Sequence, residues 1–289
     1  DAVAALAARP QAQFLAGGTN LVDLMKYDVA RPDAIIDINS LPLKEIEELP
    51  DGGFRIGALA SNSGVAYDAR IQARFPLLAS AILAGASPQL RNAATTGGNL
   101  LQRTRCSYFY DPSTPCNKRE PGSGCAAIGG LTRMHAILGA SDKCIAVHPS
   151  DMCVALAALD ATVEVVGPDS ARDIAFGDFH RLPRDEPQRD NTLACEELVT
   201  GIRLEANRFA GHYTYLKLRD RLSYAFALVS VAAAMEIANG RIVDLRIALG
   251  GVAHRPWRVP LVEAEYAGAP AEDVTFQRVA DRLLLQAKG

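Results

Sequence analysis

A chain of 289 residues that is 49% hydrophobic and 22% charged has enough apolar material for a substantial core and exceeds the usual single-domain length of roughly 100–200 residues, so two or three domains are expected. A formal net charge of -3 offers no basic face to neutralise phosphates, which argues against nucleic-acid partners. No apolar run reaches the roughly 20 residues needed to cross a bilayer, and no basic segment followed by an apolar core and a cleavage site opens the chain, so no export signal of its own is read.

Residues 1–9 are alanine-rich and helical in character. Residues 13–16 read as a short strand that runs into Gly17-Gly18-Thr19-Asn20, and residues 21–25 open another helix. Strands are expected at 34–38 and 54–59 around an Asp51-Gly52-Gly53 turn, giving an α/β unit with a boundary near residue 50. From Ser61 the pattern turns helical, with an apolar stretch at 76–83, before a second glycine turn, Thr95-Thr96-Gly97-Gly98-Asn99. Residues 104–144 carry prolines, glycines and four cysteines with little periodicity, the mark of a segment that is either disordered or organised around a function. Ser150 can cap a helix over 151–160, an alternating strand follows at 161–166, and a polar, proline-bearing loop at 178–195 leads to a strand at 197–204. Two long apolar segments, 223–238 and 241–253, are joined by Asn239-Gly240, a strong hairpin signal, and 274–288 reads as an amphipathic helix. A separate C-terminal unit of sheet plus helix is therefore expected.

A strand ending in Gly-Gly-Thr-Asn can present consecutive backbone N–H groups to a phosphate, because glycine lets ligand atoms approach the main chain. Glycine also punctuates turns that bind nothing. The reading strengthens because Thr95-Thr96-Gly97-Gly98-Asn99 repeats the chemistry, so that two loops could grip one diphosphate from both sides. Asp151 could then accept hydrogen bonds from ribose hydroxyls, or serve only as a helix-starting carboxylate. Neither G-x-G-x-x-G nor G-x-x-x-x-G-K-[ST] describes either loop, which disfavours a nicotinamide Rossmann site and a P-loop.

Cys106, Cys116, Cys125 and Cys144 follow one another with nine, eight and eighteen intervening residues. Pro112, Pro115, Pro121, Gly122 and Gly124 force turns between them, so four thiolates can converge. Zinc, an iron–sulfur cluster and disulfides are the three readings; the absence of close C-x₂₋₄-C pairs favours iron–sulfur over structural zinc, and nothing marks the chain for an oxidising compartment. Cys153, within an apolar helix, reads as a small buried hydrophobe and Cys195, in a polar loop, as a free thiol. The five histidines are scattered without metal-ligand spacing and are read as structural or surface residues.

Ala16-Gly17-Gly18-Thr19-Asn20-Leu21, Ala94-Thr95-Thr96-Gly97-Gly98-Asn99-Leu100 and His148-Pro149-Ser150-Asp151-Met152 together resemble the FAD-binding subunit of the xanthine dehydrogenase and carbon monoxide dehydrogenase family of molybdenum hydroxylases, with similarity over nearly the whole chain. The segment Gln102-Arg103-Thr104-Arg105-Cys106, through Cys116-Asn117-Lys118-Arg119 to Pro121-Gly122-Ser123-Gly124-Cys125, resembles the branch of bacterial periplasmic aldehyde oxidoreductases whose flavin subunit holds an additional four-iron four-sulfur (4Fe-4S) cluster. The related 4-hydroxybenzoyl-CoA reductases carry a comparable cluster with different loop lengths.

The resemblance implies an α+β protein: a PCMH-type FAD-binding fold of two α/β subdomains, residues 1–50 and 51–208, the second carrying the cysteine loop 104–144, then a small C-terminal flavoprotein domain of sheet and helix at 209–289. It assigns Leu15, Ala16, Gly17, Gly18, Thr19, Asn20 and Leu21 with Thr95, Thr96, Gly98 and Asn99 to the FAD diphosphate and its neighbouring groups. Asp151 falls to the adenosine ribose, Ile202 and Lys217 to the surroundings of the adenine or flavin ring, and Cys106, Cys116, Cys125 and Cys144 to the cluster. No catalytic residue is expected in this chain. The resemblance places molybdopterin in a large partner subunit and two-iron (2Fe-2S) clusters in a small one, with this chain passing electrons to an external acceptor. It leaves the compartment as periplasmic, by co-export with a signal-bearing partner, or cytoplasmic. The competing readings are a self-contained flavin oxidase or dehydrogenase and a zinc-stabilised binding module without a redox role; a visible spectrum separates them.

Overall fold

The computed structural model describes residues 2–206 and 209–288. The helix Ala2–Ala7 buries Val3 and Leu6 and leads to β1 (Gln13–Leu15), which pairs in parallel with β2 (Ile35–Asp37). Between them the chain turns through Gly17 and Gly18 and enters the helix Leu21–Lys26. Antiparallel pairs link β3 (Ile46–Glu48), β4 (Phe54–Gly57), β5 (Thr162–Val166), β6 (Ala171–Ala175) and β7 (Leu198–Leu204) into a five-stranded sheet of order β3-β4-β7-β5-β6. Its apolar face, with Phe54, Ile56, Val163 and Ile202, shares a core with Leu77, Leu78 and Ile82 of the helix Pro76–Ala84 and with Leu156 of the helix Asp151–Ala158.

The C-terminal sheet has the order β11-β10-β9-β8 and is built from β8 (Tyr213–Leu218), β9 (Val229–Ala238), β10 (Arg241–Gly250) and β11 (Trp257–Arg258). Asn239 and Gly240 both take positive φ, 51° and 70°, as the two-residue hairpin turn between β9 and β10 requires. One face of this sheet packs Ile242 and Leu245 against Val279 and Leu283 of the helix Asp273–Leu283. The other presents Ala232, Ala234 and Ala248 to the main core, small residues that let it lie close to the helix Asp151–Ala158. The main core is thus continuous across the expected boundary at 208 and 209, which abuts residues 207–208 outside the described residues. Among the described residues no helix is long and apolar enough to cross a membrane.

Candidate cofactor site

The two glycine turns lie directly against each other. A Cβ on Gly17 would stand 1.8 Å from the carbonyl oxygen of Ala93, so only glycine allows the first turn to rest on the backbone that leads into the second. Gly18 adopts φ 71°, a left-handed conformation that a side chain would disfavour. Thr95 caps the short helix Thr96–Leu100, its Oγ1 accepting from the N–H of Gly98 at 3.2 Å. Asn20 Oδ1 accepts from the main-chain N–H of Arg103 at 3.1 Å, while its buried Nδ2 has no hydrogen-bond partner among the described residues. Asn99 Oδ1 accepts from Gln102 and from the Ser150 hydroxyl, tying the second turn to the loop before Asp151.

Three cavities form a trough around this contact. One of about 330 Å³ is lined by Leu15, Ala16, Gly17, Gly18, Thr19, Asn20 and Leu21 together with Thr95, Gly97 and Gly98. A second, of about 250 Å³, shares Thr19, Asn20 and Gly98 with it and adds Asn99, Asp151, Asn62 and Arg91. The third, of about 260 Å³, continues from Ser150, Asp151 and Phe226 to Cys106 and His135. Together they have room for an extended ligand.

Asp151 is 8% exposed. Its Oδ1 accepts from the Tyr215 hydroxyl at 2.6 Å and its Oδ2 from Lys217 Nζ at 2.8 Å. Burial, then the Asp151 charge, pushes the Tyr215 phenol far above its ordinary range, so it stays a donor. Each carboxylate oxygen keeps a second lone pair, so Asp151 can still accept from a ligand in the two cavities it lines.

Three of the expected contact residues do not line the trough. Lys217 is the counter-ion of Asp151, its side chain 4% exposed, and lines none of the three cavities. Ile202 is 1% exposed because β7 is an inner strand, pairing it with Ile56 and Val163 inside the sheet core, and it has no surface to offer a ring. Thr96 also stays off the trough; its hydroxyl donates to Ala60 O at 3.1 Å and latches the turn to the body of the fold.

The cysteine loop converges as its spacing suggests. Cys106, Cys116, Cys125 and Cys144 line one small cavity beside Phe109 and Lys118, all as free thiols. Cys116 and Cys125 face each other across a backbone bridge. Asn117 accepts from the N–H groups of Gly122 and Gly124 and donates to Lys143 O, so one side chain stitches the turn to the approach of Cys144. A hydrogen bond from Cys144 lowers the Cys125 thiol to about 5, and the same bond pushes Cys144 upward. Burial raises Cys106, whose sulfur lies 3.2 Å from His135 Nε2.

Among the described residues, His148, Cys153 and His180, buried in the core, bring three donor atoms within 4.8 Å of one another.

Sequence spacing also missed the link between the two regions. Lys118 donates to Asp190 Oδ1 at 2.5 Å and Arg103 donates to Oδ2 at 2.7 Å. Burial opposes ionisation of Asp190, but the charges of Lys118 and Arg103 outweigh it and hold the carboxyl well below the usual range. Since the Arg103 main chain also holds Asn20, this ion triad joins the cysteine loop to the first glycine turn. Tyr215 was equally unforeseen, although its two-residue offset from Lys217 places both on one face of a strand.

Residues 1–204 match the family of the FAD binding domain in molybdopterin dehydrogenase, and residues 213–288 match the carbon monoxide dehydrogenase flavoprotein C-terminal domain. The chain belongs to the FAD-binding subunits of the molybdenum hydroxylases. It is 51% identical, over 93% of its own length and 85% of the relative's, to the aldehyde oxidoreductase FAD-binding subunit PaoB of Escherichia coli. It is 26% identical to the glyceraldehyde dehydrogenase medium chain of Sulfolobus acidocaldarius, over 94% and 79% of the two chains. Among solved structures, the carbon monoxide dehydrogenase of Hydrogenophaga pseudoflava that lacks the Mo-pyranopterin moiety of the molybdenum cofactor superposes with a TM-score of 0.75, at 26% identity, covering 99% of this chain and 83% of that one. The α+β architecture expected from the motifs is therefore that of the family. For an FAD-binding subunit, the glycine contact that no Cβ could enter and the orphaned Asn20 amide are the features that fit a dinucleotide.

Proposed function

We propose that this chain is the FAD and 4Fe-4S electron-transfer subunit of a molybdenum-dependent aldehyde oxidoreductase. In this reading Leu15 to Leu21, Thr95, Gly98 and Asn99 hold the FAD diphosphate and adjoining groups, and Asp151 accepts from the ribose. Cys106, Cys116, Cys125 and Cys144 hold the cluster. The observation that carries it is the convergence of both glycine turns on one trough that ends at the first of four convergent thiols. FAD, when bound, supplies electron exchange singly or in pairs between redox centres of partner subunits and an external acceptor.

The chain's own residues do the holding and orienting. Main-chain N–H groups of the first turn would face the anionic middle of the ligand, while those of Thr96, Gly97, Gly98 and Asn99 donate to Ala60, Ala58 and Thr95 and set the shape of the second turn; Tyr215 and Lys217 fix the rotamer of Asp151, and Asn117 fixes the turn between Cys116 and Cys125. The proposed partners are a molybdopterin-binding large subunit and a 2Fe-2S small subunit, consistent with the 51% identity to an aldehyde oxidoreductase subunit. Co-export with a signal-bearing partner would put the complex in the periplasm; without one it would be cytoplasmic.

The test is the visible spectrum and iron content of the purified complex, compared between the native chain and Cys116→Ser. Flavin bands with broad brown absorption, and about four irons in this subunit that Cys116→Ser removes, are expected. Flavin bands with iron unchanged in the variant would remove the cluster assignment, and a colourless chain holding zinc would remove the redox reading altogether.

A further inference from the structure

Cys106 is set apart from the other three thiols by where it stands and by what touches it. Of the four, it is the one that lines the third cavity of the trough as well as the small cavity they all share. Its sulfur lies 3.2 Å from His135 Nε2, and His135 lines the third cavity beside it. The ring is delivered from a segment 29 residues further along the chain. The N–H of Ala136 donates to Ile145 O at 2.8 Å, tying that segment to the residue after Cys144, and the N–H of Ile137 donates to Val252 O at 3.0 Å. The other ring nitrogen, Nδ1, is buried without a hydrogen-bond partner among the described residues, so Nε2 is the nitrogen that the fold has matched.

We propose that His135 is a positioning residue for the cluster, donating a hydrogen bond from Nε2 to the Cys106 sulfur and thereby raising the cluster's reduction potential. This rests on the reading that the four thiols hold an iron–sulfur cluster. A sulfur bound to iron has no proton of its own and can only accept, which fixes the ring as the donor and its tautomer as Nε2–H. The reduced cluster carries more negative charge than the oxidised one, part of it on the thiolate sulfurs, so a donor aimed at sulfur favours the reduced form. Main-chain N–H groups of Tyr108 and Phe109 also approach this sulfur, and a change of side chain at residue 135 leaves them in place. Because Cys106 borders the trough, the imidazole acts on the side of the cluster nearest the cofactor site.

The experiment is a redox titration of the purified complex, followed by electron paramagnetic resonance, for the native chain, His135→Leu and His135→Gln. The cluster of this subunit is identified as the signal that Cys116→Ser removes. Leucine has no donor, whereas glutamine offers an amide N–H to the same sulfur. His135→Leu is expected to keep its iron and its flavin bands while the cluster's reduction potential moves downward, and His135→Gln should restore most of the native value. An unmoved potential in His135→Leu, or an equal fall in both variants, overturns the inference. Should a variant lose its iron, the native complex decides: with isotopically labelled histidine, the reduced cluster should show a magnetic coupling to a histidine nitrogen, and its absence overturns the bond. A native complex without iron in this subunit overturns the cluster reading and this inference with it, whereas native iron with an unmoved potential in His135→Leu overturns this inference alone.

Discussion

The paired glycine turns and the cysteine loop are both irregular, yet they are held in opposite ways. The turns are fixed by main chain on main chain, with Gly17 against the Ala93 carbonyl and Gly97 against Ala58. The loop is fixed by side chains: Asn117 across its turn, and Lys118 with Arg103 on Asp190. A cradle shaped by backbone contact is formed before any ligand arrives. A loop whose thiols face a small cavity relies on a few polar ties.

Gly17→Ala should break the cradle outright. The new methyl group has only backbone to push against, so a loss of about 3 kcal/mol or more is expected, read as a fall in melting temperature with FAD absent from the purified chain. Gly122→Ala is the control in the other region. Gly122 sits at φ 90°, and a Cβ there would meet nothing within 4 Å, so the change should cost only about 1 kcal/mol of backbone strain and leave FAD in place. Equal effects would erase the contrast between the two regions.

Asp190→Asn comes next. It strands two cations in a site where the carboxylate is about three-quarters covered, and after allowing for that exposure roughly 2–3 kcal/mol should be lost. Because the triad reaches both Asn20 and the cysteine loop, iron and FAD content should fall together; loss of one without the other would show that the regions are uncoupled.

Acid should reach the two regions in sequence. Burial lowers His148, His180 and His254, to about 4 for His180 and about 3 for His254, so these rings stay neutral in the fold. They protonate more readily in the unfolded chain, and the folded state therefore loses stability as pH falls below about 6.5. The loss is roughly 1.4 kcal/mol per pH unit for each histidine until the folded values are reached. His180 contacts Leu100 O and His148 lies two residues from Ser150, so this first loss bears on the support of the glycine turns. Asp190, whose folded carboxyl lies below its ordinary range, gives up its contribution only once pH falls below about 4. Denaturant melts at several pH values check the order, and a flat profile between about pH 7 and pH 5 would contradict it.

The smallest expected effect is that of Tyr215→Phe, about 1 kcal/mol, with a matching decrease in FAD affinity because Asp151 loses the donor that orients it. An unchanged affinity would show that Lys217 alone suffices.

Which parts of this were legible in the sequence follows from where the physical signal lies. Asn239-Gly240 declares its turn because both positions must take positive φ, and Ser150 declares its helix because its hydroxyl meets the Cys153 N–H. Gly17 and Gly97 were readable as turns, and the cysteines as a converging set, since proline and glycine force the chain back on itself. β8 was missed because its pattern is inverted: Tyr215 and Lys217 point inward to Asp151 while Leu216 and Leu218 are 66% and 59% exposed. β6 was missed for a related reason, being an edge strand with four of its five residues exposed. The burial of Ile202 was not legible because a strand residue's face depends on which neighbours flank it, and the pairing with β4 and β5 is long-range. The contact of Cys106 with His135, like the Asp190 triad, joins residues that no local periodicity relates.

The alanine face of β9 and β10 carries one more implication. By lying flat on the helix that begins at Asp151, it delivers Tyr215 and Lys217 of the edge strand to that carboxylate. The two modules matched along the chain are therefore not autonomous: severing them between β7 and β8 would uncover the alanine surface and strip Asp151 of both its donors. Ligand retention is a joint property of the halves, and shuffling either one between relatives would have to preserve this seam.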